Sequence, residues 1–413
     1  MRKPLIDISP PRLFGFCLAI TLFELLTYMA SDMIMPAMLT VTHQLNASPN
    51  HVPYAFNLYL IGGILLQWLI GPLSDHFGRR RLLLIGCAAF ALACAAAFYV
   101  QSILAFNGLR LIQGIGLGFV IAVSYPALQE VFCEADAVKI MALLGNVALL
   151  SPLLGPLLGS LALEWLSWRE LFLVLGAGGA TVWFGLYLFM PETVGTVRQD
   201  GQQLAAVPFE WRGTVRRYAA LLSNTQFLSA TVALGLMSLP LIAWIGLAPI
   251  LLIQSQGLSP LQYGLWQIPV FASVILGNLI LNRLLANTEL PQLIRCALWP
   301  FCGGLIALIT ITFTGASTVL LVSSLSLYAI GLGMSNAALY RLALFSSDDS
   351  KGLVSAMIGM ISIAVMGGGG SIIAALGAGD SLEAFALMAG LTGLLCLVPL
   401  RLFLRRSHIT LAV

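Results

Sequence analysis

Residues 14–41 read FGFCLAITLFELLTYMASDMIMPAMLTV, and this apolar stretch decides the fold. As a helix it is about 42 Å long at ~1.5 Å per residue, more than the roughly 30 Å of a bilayer's hydrocarbon core. It contains two acids, Glu24 and Asp32, and no Lys or Arg. The acids lie about 12 Å apart along the helix and about 80° apart around it. With Tyr28 and Ser31 they form one tilted stripe.

The two carboxyl groups inside a membrane helix indicate a function. Each costs roughly 2.5–3.5 kcal/mol at the centre of a bilayer, even on the scale from insertion experiments. That cost favours a water-filled chamber beside the stripe, in which the acids bind protons or substrate. The alternative is that both acids are hydrogen-bonded within a helix bundle and have no role in transport. Two acids on one face favour the functional interpretation.

The composition of the whole chain places it in a membrane. Of its 413 residues, 59% are hydrophobic and 9% are charged, whereas soluble domains average about 25% charged residues. The net charge of +3 is scattered among loops, so we expect no nucleic-acid partner. The seven cysteines include no CxxC pair and the four histidines are isolated, which predicts neither a metal site nor a cofactor. The basic N-terminus lacks a small-residue cleavage site, so we expect a retained first helix rather than a signal peptide.

Polar breaks in the sequence predict twelve membrane-spanning helices. The predicted spans are 14–41, 52–73, 81–100, 102–127, 138–163, 168–190, 223–253, 260–285, 291–314, 316–342, 352–377 and 382–404. With a cytoplasmic N-terminus, eighteen of the twenty Lys and Arg residues fall on the cytoplasmic side. This asymmetry independently supports an even number of helices. We therefore expect an all-α integral membrane protein with both termini in the cytoplasm.

The longest polar stretch divides the predicted helices into two halves. We predict an N-terminal six-helix bundle at 1–190, a cytoplasmic linker at 191–222 and a C-terminal six-helix bundle at 223–413. A short amphipathic helix is expected within the linker at 208–222.

Weak internal repeats support two related halves. The glycines at 114–118 recur at 331–333, and Gly71-Pro72-Leu73 resembles Gly277-Asn278-Leu279. Repeats of this kind are typical of transporters whose substrate site lies near the bilayer midplane.

The segment after the second predicted span reads GPLSDHFGRRR at 71–81. Its glycines permit a tight turn and close helix approach, and Asp75 can cap or charge-pair at the N-terminus of a neighbouring helix. The segment resembles the G-x-L-S/A-D-x-x-G-R-R/K-x motif of the major facilitator superfamily. The resemblance implies that Gly71, Asp75, Gly78 and Arg79 control conformation.

The fourth predicted span contains RLIQG at 110–114, which resembles the R-x-x-Q-G motif of the same superfamily. The resemblance implies a role for Arg110 in proton transfer, with Gln113 and Gly114 as part of the motif. The alternative is that Arg110 extends to the membrane interface near Asn107.

The fifth predicted span contains PLLGPLLGS at 152–160. Glycines four residues apart allow close helix packing, and prolines bend a helix. The segment resembles the antiporter-type motif G-P-x-x-G-G, with Ser160 in place of the last glycine. Within the superfamily this motif is similar to that of proton-coupled drug exporters rather than symporters. The motif residues are Pro152, Gly155, Pro156 and Gly159.

Four longer segments extend this resemblance over nearly the whole chain: FELLTYMASDMIMP at 23–36, QWLIGPLSD at 67–75, NVALLSPLLGP at 146–156 and SLPLIAWI at 238–245. They are similar to proton-coupled multidrug antiporters of the major facilitator superfamily. The resemblance implies two pseudo-symmetric six-helix bundles, a monomer in the bacterial cytoplasmic (inner) membrane, and export of small-molecule drugs such as chloramphenicol in exchange for protons. It implies that Glu24, Asp32 and Arg110 couple protons to substrate. The drug site that it implies consists of Tyr28, Ser31, Asp32, Tyr125, Asn146, Ala148, Leu149, Leu241, Ile242 and Ile245.

Three other functions are less consistent with the sequence. A proton-coupled carrier of a different small molecule, such as a sugar or anion, usually offers several Asn, Gln or Arg groups to its substrate, whereas the midplane predicted here is apolar apart from its acids. A receptor or assembly factor without transport would need neither two acids at mid-depth nor a twofold repeat. The sequence contains no nucleophile–base pair, metal cluster or phosphate loop of an enzyme.

Overall fold

The computed structural model describes residues 4–201, 203–206, 211–284, 290–315, 317–347 and 351–410, and nearly all of them are helical. The chain forms two compact units that divide between Glu210 and Trp211. Two short segments, Met38–His43 and Ser48–Asn57, precede that division but group with the second unit. The bundle and linker boundaries at 190 and 222 stay a prediction.

The first long helix, α1, spans Pro10–Asp32 and starts with two prolines, which are favourable at a helix N-terminus. A 3₁₀ turn at Met35–Ala37 follows it. Pro36 lacks the N–H that would bond to the carbonyl of Asp32, so the α-helical pattern cannot continue. The other helices up to residue 189 are α2 Met38–Gln44, α3 Val52–Leu65, α4 Gln67–Phe77, α5 Arg79–Ala97, α6 Ile103–Phe119, α7 Tyr125–Val131, α8 Glu134–Ala162 and α9 Trp168–Phe189.

From Trp211 onward, the described residues form eight helices. They are α10 Trp211–Ser223, α11 Thr225–Ala248, α12 Pro260–Leu284, α13 Leu290–Thr314, α14 Thr318–Leu344, α15 Lys351–Ile373, α16 Leu382–Leu394 and α17 Leu397–Thr410. Helix α10 corresponds to the predicted amphipathic helix at 208–222, whose first three residues lie outside the described part of the chain.

Helices that are long and apolar enough to span a membrane occur at the positions that the sequence predicts. In the described residues, eleven helical segments are long and apolar enough to cross a bilayer, and they match eleven of the predicted spans. The remaining span, 138–163, coincides with α8, whose second half Leu150–Ala162 is a shorter apolar helix. The all-α membrane fold is confirmed.

Close helix packing through glycine occurs in both units. A Cβ on Gly62 of α3 or Gly114 of α6 would lie 3.1 Å from the Cα of the other glycine. In the second unit, a Cβ on Gly277 of α12 would lie 3.0 Å from the Cα of Gly333 of α14, and a Cβ on Gly333 would lie 3.1 Å from the Cα of Gly277. Each unit therefore joins a pair of helices by mutual glycine contact. Gly71, whose segment resembles that of Gly277 in the sequence, makes no such contact, because a Cβ there would meet open space.

Candidate functional site

Glu24 lies on α1 with its side chain fully buried. Its Oε1 accepts a hydrogen bond of 2.9 Å from the hydroxyl of Tyr125. Tyr125 begins α7 directly after the π-helical turn Val120–Ser124, and such turns change the direction in which the following side chains point. The other oxygen, Oε2, has no hydrogen-bond partner among the described residues. A buried carboxyl with an unpaired oxygen is costly unless a proton or a ligand binds it.

Asp32, the last residue of α1, lies against α8 and is 4% exposed. Its Oδ2 accepts a hydrogen bond of 2.7 Å from the Ser151 hydroxyl. One helical turn further along α8, a Cβ on Gly155 would lie 2.6 Å from the Cβ of Asp32. After another turn, a Cβ on Gly159 would collide with the carbonyl oxygen of Met33. The predicted glycine motif thus brings α8 into contact with α1 at the acid.

Arg110 is fully buried on α6, so the alternative that it extends to the membrane interface is wrong. Its guanidinium donates to the carbonyl oxygens of Ala30 at 2.8 Å and Ser31 at 3.3 Å. The last carbonyls of a helix have no partner within it, and here a cation supplies the donors at the end of α1. The same guanidinium donates to Gln113 Oε1 at 2.9 Å. Arg110 therefore stabilises the break in α1 next to Asp32.

Two neighbours hold the Arg110 side chain in place. The guanidinium carbon lies 4.6 Å from the ring centroid of Tyr59 on α3, in a cation–π contact. The Tyr59 hydroxyl donates to the carbonyl of Thr27 on α1. Gln113 donates through Nε2 to the Ala93 carbonyl on α5 at 3.3 Å. Side chains and carbonyls from α1, α3, α5 and α6 thus fix one buried cation.

The remaining residues of the predicted drug site lie in different parts of the chain. Ser31 is buried on α1 and Tyr28 is half-buried there. Leu241, Ile242 and Ile245 belong to α11, in the second unit. The side chains of Asn146, Ala148 and Leu149 lie outside the described residues. The structure therefore brings together the α1 acids, Tyr125 and Arg110, and leaves the full drug site as a prediction.

A second polar cluster forms around Arg79, which is 7% exposed. The guanidinium pairs with Asp75 at 2.5 Å and with Glu130 of α7 at 2.8 Å, and it donates to the Ser74 hydroxyl. The Thr193 hydroxyl also donates to Glu130. Two of the predicted motif residues, Asp75 and Arg79, are thus joined to the end of another helix.

The N-terminus of α5 is capped by a residue that the motif did not indicate. Glu192 accepts from the backbone N–H groups of Arg79 at 2.8 Å and Arg80 at 3.3 Å, which is favourable at the positive end of a helix. Asp75 pairs with Arg79 instead, so of the two roles that the sequence allowed, only charge pairing is present. Gly78 has φ of 103°, and a Cβ there would also collide with Glu192. The turn requires glycine at that position.

Sequence reasoning missed several residues of these clusters, and four of them contact predicted site residues directly. They are Ser151, Tyr59, Glu130 and Glu192. Ser151 has a sequence signal, since it precedes Gly155 and Gly159 in a stripe of small residues at every fourth position. The other three are brought into place by tertiary packing. Among the described residues, no group of three or more His, Cys, Asp or Glu side chains is arranged to hold a metal ion.

Comparison with known proteins gives a family and a fold. Residues 20–371 match the family model of the Major Facilitator Superfamily. The chain is 44% identical over 398 residues to "Multidrug transporter MdfA" of Yersinia pestis bv. Antiqua (strain Angola), covering 96% of this chain and 94% of that protein. It is 43% identical over 383 residues to the protein of the same name from Edwardsiella ictaluri (strain 93-146), covering 92% and 91%.

Two solved structures illustrate the fold. A D-xylose-proton symporter superposes with a TM-score of 0.72 at 16% identity, covering 93% of this chain and 97% of that one. A bacterial homolog of the human lysosomal transporter Spinster, in an inward-facing and unoccupied conformation, gives a TM-score of 0.72 at 13% identity, with 97% and 98% coverage. At such identities the likeness concerns the fold alone.

Proposed function

Because the chain belongs to the major facilitator superfamily, whose members are membrane transporters and not enzymes, we propose that it is a proton-driven multidrug antiporter. It exports lipophilic neutral and cationic drugs, chloramphenicol-like compounds among them, across the bacterial inner membrane and thereby confers antibiotic resistance. Both termini lie in the cytoplasm, and protons are the coupling ion, with no other cofactor. The names of the relatives support drug transport, and the observation that carries the coupling mechanism is the pair of buried carboxyls on α1.

The two acids have separate hydrogen-bond donors, which supports separate roles. Glu24 accepts from Tyr125 at 2.9 Å and Asp32 from Ser151 at 2.7 Å. A buried carboxyl is stable either when it is protonated or when a donor or cation compensates its charge. A lipophilic cation and a proton therefore compete for the same acid, and binding of one releases the other. This competition makes drug export depend on proton entry.

Arg110 links the state of Asp32 to the shape of α1. Its guanidinium bonds to the carbonyls of Ala30 and Ser31, and its charge interacts with Asp32. When Asp32 takes up a proton, the ionic part of this interaction is lost, and the guanidinium is free to shift relative to the carbonyls at the end of α1. The break in α1 is therefore the element whose geometry changes with proton uptake, and alternating access follows from that change.

The membrane potential supplies part of the driving force. Each proton that enters with the field releases about 2.3 kcal/mol per 100 mV, and any pH gradient adds to this. The cluster of Asp75, Arg79 and Glu130 holds the ends of three helical segments together in one state, and breaking it permits the other. The drug contacts are those of the predicted drug site, of which Asp32 alone carries a charge.

The test is drug accumulation in cells that lack their own exporters. We expect cells with the wild-type protein to exclude a fluorescent lipophilic cation, and an uncoupler to abolish that exclusion. Asp32→Asn and Glu24→Gln should each reduce export of the cation, because a neutral amide can neither bind a proton reversibly nor compensate a cation. Chloramphenicol export should survive one of the two changes. Full, uncoupler-sensitive export of the cation by both single variants and the double variant would contradict the proposal.

A further inference from the structure

The contact between α8 and Asp32 contains a donor that the motifs did not assign. Ser151 is fully buried, and its hydroxyl lies 2.7 Å from Asp32 Oδ2. In the stripe Ser151, Gly155 and Gly159, the two glycines provide close packing against α1, since a Cβ on either would overlap Asp32 or the Met33 carbonyl. Packing at this stripe requires small side chains and nothing more. An alanine would meet that requirement at position 151, so packing alone does not account for the hydroxyl.

A serine hydroxyl distinguishes the two states of the acid that it contacts. Its donated hydrogen bond is roughly twice as strong to a charged carboxylate as to a neutral acceptor. The bond therefore stabilises charged Asp32 more than protonated Asp32. Charged Asp32 is also the state that can bind a cation.

We propose that Ser151 is a positioning residue that holds Asp32 in its charged, cation-accepting state and so sets the pH range in which the transporter binds lipophilic cations. The inference rests on the proposed function, because it concerns the competition between proton and drug at Asp32. It adds a determinant of substrate class on α8. Neutral drugs, which need no charge on Asp32, are bound with little dependence on this hydroxyl.

The other groups around Asp32 stay constant when Ser151 is changed. The charged group is Arg110 of α6, and the titratable ones are Tyr28 of α1 itself and Tyr59 of α3. The Ser31 hydroxyl on α1 is a second hydrogen-bond donor to Asp32, and it is present in the wild type and in every Ser151 variant. Arg110 is held by two backbone carbonyls of α1, by Gln113 and by the Tyr59 ring. A change in pH dependence after substitution of Ser151 is therefore attributable to the lost hydroxyl.

The experiment measures binding of tetraphenylphosphonium to the purified full-length protein as a function of pH. For Ser151→Ala we expect the pH of half-maximal cation binding to rise by about one unit, a tenfold change in the competition with protons. Binding of chloramphenicol, a neutral drug, should stay close to the wild-type value. The matched control is Ser335→Ala on α14, since Ser335 is equally buried and donates a bond of 2.7 Å to the neutral carbonyl of Gly331. That variant should keep the wild-type pH profile.

A second pair of variants separates the hydroxyl from packing. Thr and Val have nearly the same shape and differ in the hydroxyl, so any cost of the extra methyl group at position 151 is common to both variants. We expect Thr to keep the wild-type midpoint and Val to follow Ala. Equal midpoints for Thr and Val, or an unchanged midpoint for Ala, would overturn the role of Ser151 while leaving the proposed function intact. Cation binding by the wild type that does not depend on pH would overturn the proposed function itself.

Discussion

The contact of Gly155 with Asp32 predicts that a single added methyl group on α8 uncouples proton transport from drug transport. A Cβ at Gly155 would lie 2.6 Å from the Asp32 Cβ, whereas carbon atoms in contact are about 3.5–4.0 Å apart. Gly155→Ala therefore requires α8 and α1 to separate by about 1 Å. The same movement lengthens the bond between Ser151 and Asp32 from 2.7 Å to about 3.7 Å, beyond hydrogen-bonding distance.

The expected energies follow from that movement. Overpacking costs about 1–3 kcal/mol, and the lost bond to a charged acceptor costs a further 1.5–3 kcal/mol or so. Replacing glycine by alanine within a helix returns at most about 1 kcal/mol. We expect Gly155→Ala to lower the thermal midpoint of the purified protein and to reduce uptake of a lipophilic cation into inverted vesicles by at least tenfold.

The control is Gly185→Ala on α9. A Cβ there would lie 3.5 Å from Ala19 of α1, which is an ordinary contact, so this variant should keep its activity and its thermal midpoint. If the overlap acts through Ser151, then Gly155→Ala and Ser151→Ala shift the pH profile of cation binding by amounts that do not add in the double variant. Wild-type transport by Gly155→Ala with an unchanged pH profile would refute the packing argument.

Three further substitutions test other parts of the mechanism. Arg110→Lys keeps the charge but loses the two guanidinium nitrogens that donate to two carbonyls of α1, so we expect substrate-induced proton release to fall at least tenfold. Proton release at the wild-type level would contradict the role of Arg110 at the end of α1. Tyr125→Phe removes the donor to Glu24, and we expect an altered pH profile of transport with little change in thermal midpoint; an unaltered profile would show that the bond is incidental. Gly71→Ala introduces a Cβ into open space, so it should stabilise the helix by up to about 1 kcal/mol and leave transport intact. A transport defect would show that the motif requires glycine in another conformation.

The fold and the positions of the acids could be predicted because hydropathy and charge are local properties of the sequence. The run at 14–41 and the acids within it needed only helix geometry. The R-x-x-Q-G motif indicated Arg110, but not whether its side chain is buried, because that depends on carbonyls of α1 some eighty positions earlier in the chain. Pro36 is evident in the sequence, but the sequence does not show that Arg110 supplies the hydrogen-bond donors for the helix end that Pro36 creates.

The contacts around Arg79 also divide into those that come from neighbouring residues and those that depend on tertiary packing. Asp75 and Arg79 lie on either side of the turn at Gly78, and their closeness in the sequence keeps the two charges near each other. Glu130 and Glu192 approach Arg79 from distant parts of the chain, and nothing in the spacing indicates which acid caps α5. The role of Ser151 was missed for a different reason. A serine in a stripe of small residues is explained by close packing unless its contact with Asp32 is known.

The central claim is that protons and drugs compete for the carboxyls of α1, and proton release on drug binding tests it most directly. Purified protein in weakly buffered detergent solution should release protons when tetraphenylphosphonium is added. Asp32→Asn combined with Glu24→Gln should abolish the release, while Ser335→Ala should preserve it. Release of equal size from the double variant and the wild type would contradict the account.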